Sequence, residues 1–183
     1  MTTKPVILPE YAALNKQLHA ESANYGANAS ARAVNVVEIS RMNKFNIILD
    51  YGCGKGTLRP AVKKIAPDLK VLEFDPAIKG KDTIPSRRPD LVVVLDVMEH
   101  IEPDYLDSVL STIRNLTPQA VLMTIATEAA QKTLPDGRNA HLIVQPTEWW
   151  LERLQTYFKP LKAQPLEDHH FLFFGTPLPS GLN

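Results

Sequence analysis

The sequence predicts an α/β fold: a Rossmann-like doubly wound sheet, mostly parallel, with an antiparallel C-terminal strand pair and helices on both faces. Three observations carry this expectation. Two short apolar runs, Phe45–Leu49 and Leu91–Leu95, have the β-rich composition of central strands covered on both sides. The first runs straight into Gly52-Cys53-Gly54-Lys55-Gly56, a glycine-rich turn that leads into a helix. Near the C-terminus two more strand candidates, about 160–166 and 170–175, are joined by Glu167-Asp168-His169 as an antiparallel pair.

The elements follow in order. Residues 1–9 carry Pro5 and Pro9 and read as an irregular arm. Tyr11, Ala12, Leu14 and Leu18 pattern a short amphipathic helix over Glu10–His19, and Asn24-Tyr25-Gly26 signals a turn. A second helix is expected from Ser30 to Arg41, with Val34, Val37, Ile39 and Met42 toward the sheet. After the glycine turn, Thr57 is placed to cap a helix that runs to about Ile65. Lys70–Phe74 is the next strand and ends at Asp75. Residues 77–90 hold too few apolar side chains for a strand, so the sheet edge there is short. Glu102-Pro103-Asp104 opens a helix with Tyr105, Val109, Leu110 and Ile113 as its stripe, and Ala120–Ile125 is a further strand. Residues 127–140, with the turn Pro135-Asp136-Gly137, read as a loop over the site. A helix from Pro146 or Thr147 to about Phe158 carries Trp149 and Trp150, of which one packs and the other is a candidate substrate wall.

At 183 residues the chain is one domain, divided into a helical segment 1–44 covering the site, a core 45–176 and a loose tail 177–183. Twenty basic and twenty acidic side chains cancel, so no global field draws it to nucleic acid or anionic membrane. The only cysteine, Cys53, excludes a disulfide framework and a cysteine-based zinc site. No apolar run approaches the roughly 20 residues of a membrane span, and no signal-peptide core is evident. The expectation is a soluble, cytoplasmic protein of undetermined oligomeric state.

The glycine spacing separates two cofactor classes. A dinucleotide site uses G-x-G-x-x-G at a helix start. Here the string is Asp50-Tyr51-Gly52-Cys53-Gly54-Lys55-Gly56, an acid followed by G-x-G-x-G. It resembles motif I of the class I S-adenosylmethionine (SAM) methyltransferases, and Asp90-Leu91-Val92-Val93-Val94-Leu95-Asp96-Val97-Met98-Glu99-His100 is similar to the strand-four segment of the small-molecule members. The resemblance covers roughly residues 45–175. It implies SAM as cofactor, a loop of Gly52, Cys53, Gly54 and Gly56 around the methionine end, and Asp50 helping to hold the methionine amino group. Asp96 joins this cofactor set. Asp75, at the end of the second strand and roughly 20 residues beyond the loop, stands where Rossmann-like folds bind ribose hydroxyls. The resemblance also implies an acid near adenine, for which Asp82 is the candidate, and an N-terminal segment that closes over cofactor and substrate, with Tyr25 as a contact.

Asp96, Glu99 and His100 fall at i, i+3 and i+4, which places them on one face if the helix has begun by Asp96. His141 follows in the loop after the fifth strand, expected at the same mouth. Two carboxylates and two imidazoles suit a divalent ion such as Mg²⁺, Mn²⁺ or Zn²⁺. The pattern resembles the metal site of the small-RNA 2′-O-methyltransferases and the matching segment of the ubiquinone-pathway O-methyltransferases. Three readings of the set stand side by side: a metal site, a metal-free lining in which His100 or His141 is general base with Glu99 beside it, and a structural cluster.

Absences narrow the acceptor. The N/D/S-P-P-Y/F/W string of amino-directed DNA methyltransferases does not follow Leu95, and the one cysteine lies in the cofactor loop, which removes the nucleophile for cytosine C5. The expected activity is methyl transfer from SAM to a hydroxyl or a small-molecule nitrogen. An RNA-terminus 2′-O-methyltransferase is the first rival, weakened by the neutral charge. A non-catalytic SAM-binding subunit is the second.

Overall fold

A computed structural model describes residues 6–21, 28–166 and 169–179 of the chain. Among them six strands form one sheet: β1 (Ile47–Tyr51), β2 (Lys70–Phe74), β3 (Leu91–Leu95), β4 (Ala120–Ala126), β5 (Phe158–Pro165) and β6 (His170–Pro177), in the order β2-β1-β3-β4-β6-β5. β1 to β4 run parallel, with Ile48 opposite both Val71 and Leu91, and Leu91 opposite Ala120. β6 turns back along β4, Ala126 opposite His170, and β5 pairs antiparallel on its outer side.

The alternation of side chains along the strands sorts the core into two layers. Leu49, Val92, Val94, Val121 and Met123 face α4 (Leu106–Leu116) and α5 (Thr147–Gln155). Ile48, Val71, Leu91, Val93 and Leu122 face α2 (Ala33–Asn43) and α3 (Leu58–Ile65). Both faces are covered, which is why β3 reads as an unbroken hydrophobic run and β4 as one interrupted by Thr124. Trp150 and Leu154 bring α5 onto the sheet, fully buried, while Trp149 packs edge-on to Trp150 with the Arg153 guanidinium over its ring. Neither tryptophan lines the cavity described below, so both are packing residues.

Several boundaries differ from expectation for local reasons. A 3-10 turn at Asn28–Arg32 delays α2, so its buried face is Ala33, Val36, Val37 and Ser40. Val34 and Met42 point to solvent, at 54% and 83% exposure. Ser40 is tolerated inside because its hydroxyl donates to the Val36 carbonyl one turn back, at 2.7 Å. Thr57 precedes α3 but makes no side-chain cap. α5 ends at Gln155 because Phe158 already belongs to β5, and Pro177, expected in the tail, ends β6. As expected, no strand forms over 77–90, which leaves β2 at the sheet edge. Tyr25 lies outside the described residues.

β1 has β2 on one side and β3 on the other, so the chain order reverses between β1 and β3. That crevice at the carboxyl ends of the strands is where open α/β sheets place ligands. No helix of the described residues is long and apolar enough to cross a membrane.

Candidate active site

A cavity of about 490 Å³ opens above the carboxyl ends of β1, β3 and β4. Its floor is the glycine turn. Gly52, Gly54 and Gly56 all have positive φ, at 76°, 49° and 73°. The Gly52 and Cys53 amides both donate to the Phe74 carbonyl, at 2.8 and 3.1 Å, which ties the turn to the end of β2. A Cβ on Gly52 would stand 2.6 Å from Val97 Cγ2. Gly52→Ala is expected to lose about 1–3 kcal/mol of stability through backbone strain and this clash, read as a lower thermal midpoint; an unchanged midpoint would show that the turn relaxes freely.

Asp75 lines the cavity with both carboxylate oxygens already oriented. Oδ2 accepts from the Gly54 amide and Oδ1 from the Ala77 amide, each at 2.9 Å. A carboxylate retains lone pairs beyond these two bonds, enough for a vicinal diol. Asp50 and Gly56 do not line the cavity. Asp50 is buried on the α2–α3 face of the sheet, in register with Glu73, and burial followed by the Glu73 charge pushes its carboxyl up to about 7. Glu73 is itself held by Lys81 at 3.2 Å and Arg59 at 3.3 Å. A Cβ on Gly56 would run into the Glu73–Lys81 pair, so that glycine serves the turn's packing. Lys81 Nζ also lies 3.4 Å from the Gly54 carbonyl, supporting the turn from behind. Asp82 is exposed, accepts from the Gly80 amide and is no part of the cavity wall. Cys53 lines the cavity as an inert thiol, pushed up to about 12 chiefly by burial.

The helix expected to begin by Asp96 does not. Asp96 takes a left-handed conformation with φ 55°, and only a 3-10 turn, Met98–His100, follows. The spacing argument for Asp96 therefore fails. Its carboxylate turns to the sheet, accepting from the Thr124 hydroxyl at 2.6 Å, with His170 Nε2 at 3.7 Å. Glu99, His100 and His141 do converge: each offers a ligand atom, and these atoms all lie within 4.8 Å of one another. The two imidazoles stack edge to face, centroids 4.8 Å apart. His100 Nδ1 lies 2.7 Å from the Ala140 carbonyl and His141 Nδ1 lies 2.6 Å from the Glu128 carbonyl. A carbonyl only accepts, so both rings carry their proton on Nδ1 and, when neutral, their lone pair on Nε2.

Glu99 is fully buried. Its Oε1 accepts from the Ala126 amide at 2.9 Å, and its Oε2 has no hydrogen-bond partner. Desolvation first, then the neighbouring Asp96 charge, raises its carboxyl to about 8.

Several wall residues escaped the sequence reading. His169 and His170 reach the cavity because β6 returns along β4, a long-range pairing with no local signature. His169 Nδ1 sits 2.9 Å from Glu128 Oε1. From the N-terminal segment, Tyr11 in α1 (Pro9–Glu21) donates its hydroxyl to the His100 carbonyl at 2.5 Å, and the Leu8 amide donates to Glu102 Oε2 at 3.1 Å. Tyr11 and Leu18 pack on Leu134 and Ala140 of the loop. The apolar stripe of α1 was legible; its target was not.

A family model described as a methyltransferase domain matches residues 25–168, well over half of the chain. The chain belongs to the class I SAM-dependent methyltransferases. No curated protein matches it in sequence. Among solved structures, the methyltransferase fold is shared with the Burkholderia thailandensis 1,6-didemethyltoxoflavin-N1-methyltransferase, which holds 1,6-didemethyltoxoflavin and S-adenosylhomocysteine: TM-score 0.68, 18% identity, over 96% of this chain and 93% of that one. It is also shared with the magnesium protoporphyrin IX methyltransferase of Synechocystis PCC 6803, with S-adenosylhomocysteine bound: TM-score 0.58, 13% identity, over 81% and 83% of the two chains. SAM as cofactor accords with both neighbours and with the glycine turn.

Proposed function

We propose that this methyltransferase transfers the SAM methyl group to a hydroxyl of a diol-like or phenolic small molecule, with a small-molecule nitrogen as the alternative acceptor. Gly52, Cys53, Gly54, Asp75 and Asp96 form the cofactor end of the cavity; Glu99, His100 and His141 form the acceptor end. The observation that carries this reading is the convergence of a buried carboxylate and two imidazoles whose Nδ1 atoms are committed to backbone carbonyls. In the transfer, an acceptor hydroxyl gives its proton to an imidazole Nε2 as its oxygen attacks the methyl carbon. The new O–C bond forms as the C–S bond breaks, its electron pair staying on sulfur to give S-adenosylhomocysteine. The fixed imidazoles keep the acceptor in line with the methyl group.

The same three residues fit a divalent cation. Glu99 Oε2 is buried without a partner, and an Nδ1–carbonyl bond is the usual support of a metal-ligating histidine. Two nitrogens and one oxygen suit Zn²⁺ or Mn²⁺ better than Mg²⁺. A cation held there would lower the pKa of an acceptor hydroxyl and fix its position. Asp96, turned to Thr124 and His170, is left out of this set. In the metal-free reading the Glu99 carboxyl, raised to about 8, is protonated near neutral pH and donates to the acceptor.

Calorimetric titration separates the two. Zn²⁺ or Mn²⁺ added to SAM-loaded protein is expected to bind one ion per chain, with binding lost in His141→Ala while SAM affinity is kept. Stoichiometric SAM binding with no metal binding would leave the imidazoles as bases alone. No SAM binding would remove the whole reading.

A further inference from the structure

We propose that Asn139 is the positioning residue that sets both imidazoles of the acceptor site; the inference rests on the acceptor-site reading above. Its side chain makes three hydrogen bonds. Oδ1 accepts from the His141 amide and from the Ala130 amide, each at 2.9 Å, and Nδ2 donates to the Ala130 carbonyl at 2.8 Å. One amide group thus ties the outgoing arm of the loop at Ala130 to the returning arm at His141. The backbone continues the tie: Thr133 pairs with Asn139, the Leu134 amide donates to the Arg138 carbonyl at 2.7 Å, and the Ala140 amide donates to the Lys132 carbonyl at 3.0 Å.

The carbonyls that hold the two rings belong to the segments Asn139 staples. Ala140, its chain neighbour, supplies the oxygen opposite His100 Nδ1. Glu128, two residues before Ala130, supplies the oxygen opposite His141 Nδ1. The tautomer of each imidazole follows from those two carbonyls, because an oxygen fixed opposite Nδ1 keeps the proton there. Only a primary amide of this length both accepts twice and donates once. Aspartate keeps the accepted bonds and loses the donated one, glutamine adds a methylene, and alanine loses all three.

The test reads the rings directly. Imidazole ¹H–¹⁵N spectra at a pH where the histidines are neutral are expected to show the Nδ1–H form for His100 and His141 in the unaltered protein, each assigned with its His→Gln variant. In Asn139→Ala both should become tautomer mixtures. Zn²⁺ affinity should fall about tenfold or more, the range seen when support of a metal-ligating histidine is removed, with SAM affinity unchanged. Asn139→Asp should lie between the two and serves if the alanine variant does not fold. Pure Nδ1–H signals in the variants overturn the proposal, whatever happens to affinity. Failure of the unaltered protein to bind SAM would instead remove the methyltransferase-site reading, and the tautomer result would stand apart from it.

Discussion

Asp75→Ala is expected to weaken SAM binding by more than tenfold. On the proposed reading the carboxylate accepts from the ribose diol, and each hydrogen bond to a charged acceptor contributes about 1.5–3 kcal/mol; 1.4 kcal/mol is a factor of ten in affinity. The same carboxylate accepts from the Gly54 and Ala77 amides, so its loss also frees the turn that forms the cavity floor. Asp75→Asn keeps an acceptor of the same shape and should retain part of the affinity. Calorimetry with SAM and with S-adenosylhomocysteine checks both variants. Equal affinity in wild type and Asp75→Ala would place the ribose elsewhere.

Glu99→Gln is expected to raise stability above neutral pH in metal-free buffer and to flatten its pH dependence. Glu99 has its folded carboxyl raised to about 8 from an ordinary 4.5. Between those values the folded chain holds a proton that the unfolded chain has released. The contribution is complete below about 4.5 and is lost as pH rises through about 8. Over that window the effect is on the order of a few kcal/mol. Glutamine keeps the bond from the Ala126 amide and never ionises. Thermal midpoints from pH 5 to 9 should decline in the wild type and decline less in the variant, where Asp50, pushed up to about 7, leaves a residual slope. Parallel curves would mean that Glu99 does not titrate in this window. Zn²⁺ should restore the wild type at the alkaline end and leave Glu99→Gln where it was.

What could be read from the sequence was local. The glycine spacing, the acid closing β2 and the short apolar runs in β1 and β3 each state their conformation within a few residues, and the sheet follows from them. Of the four residues grouped at the mouth of the strands, the structure brings three together and turns one, Asp96, toward the sheet. Glu99, His100 and His141 come together because the loop after β4 folds back over β3. Asp96 was misplaced because the chain leaves β3 through a left-handed residue, and an aspartate at φ 55° carries no local mark as a glycine would. The stripe of α2 was shifted because a 3-10 turn at its start changes the phase of all that follows. His169, His170 and Tyr11 reach the cavity through contacts about 40 residues or more away in sequence, which no periodicity encodes.

The tie between α1 and the loop bears on which backbone opens first. Leu134 and Ala140 are buried against α1, the Tyr11 hydroxyl donates to the His100 carbonyl, and the Arg138 guanidinium lies over the Tyr11 ring. Among the described residues the loop's one strand-like bridge, from Thr133 to Asn139, is internal to it. The loop is held from below by backbone bonds, the Ile143 amide to the Glu99 carbonyl at 3.0 Å and the Thr127 amide to the His169 carbonyl at 2.9 Å, whereas α1 reaches it through side chains. Segments with few ladder hydrogen bonds open first, so the amides of α1 are expected to exchange hydrogen well before those of β1, β3 and β4.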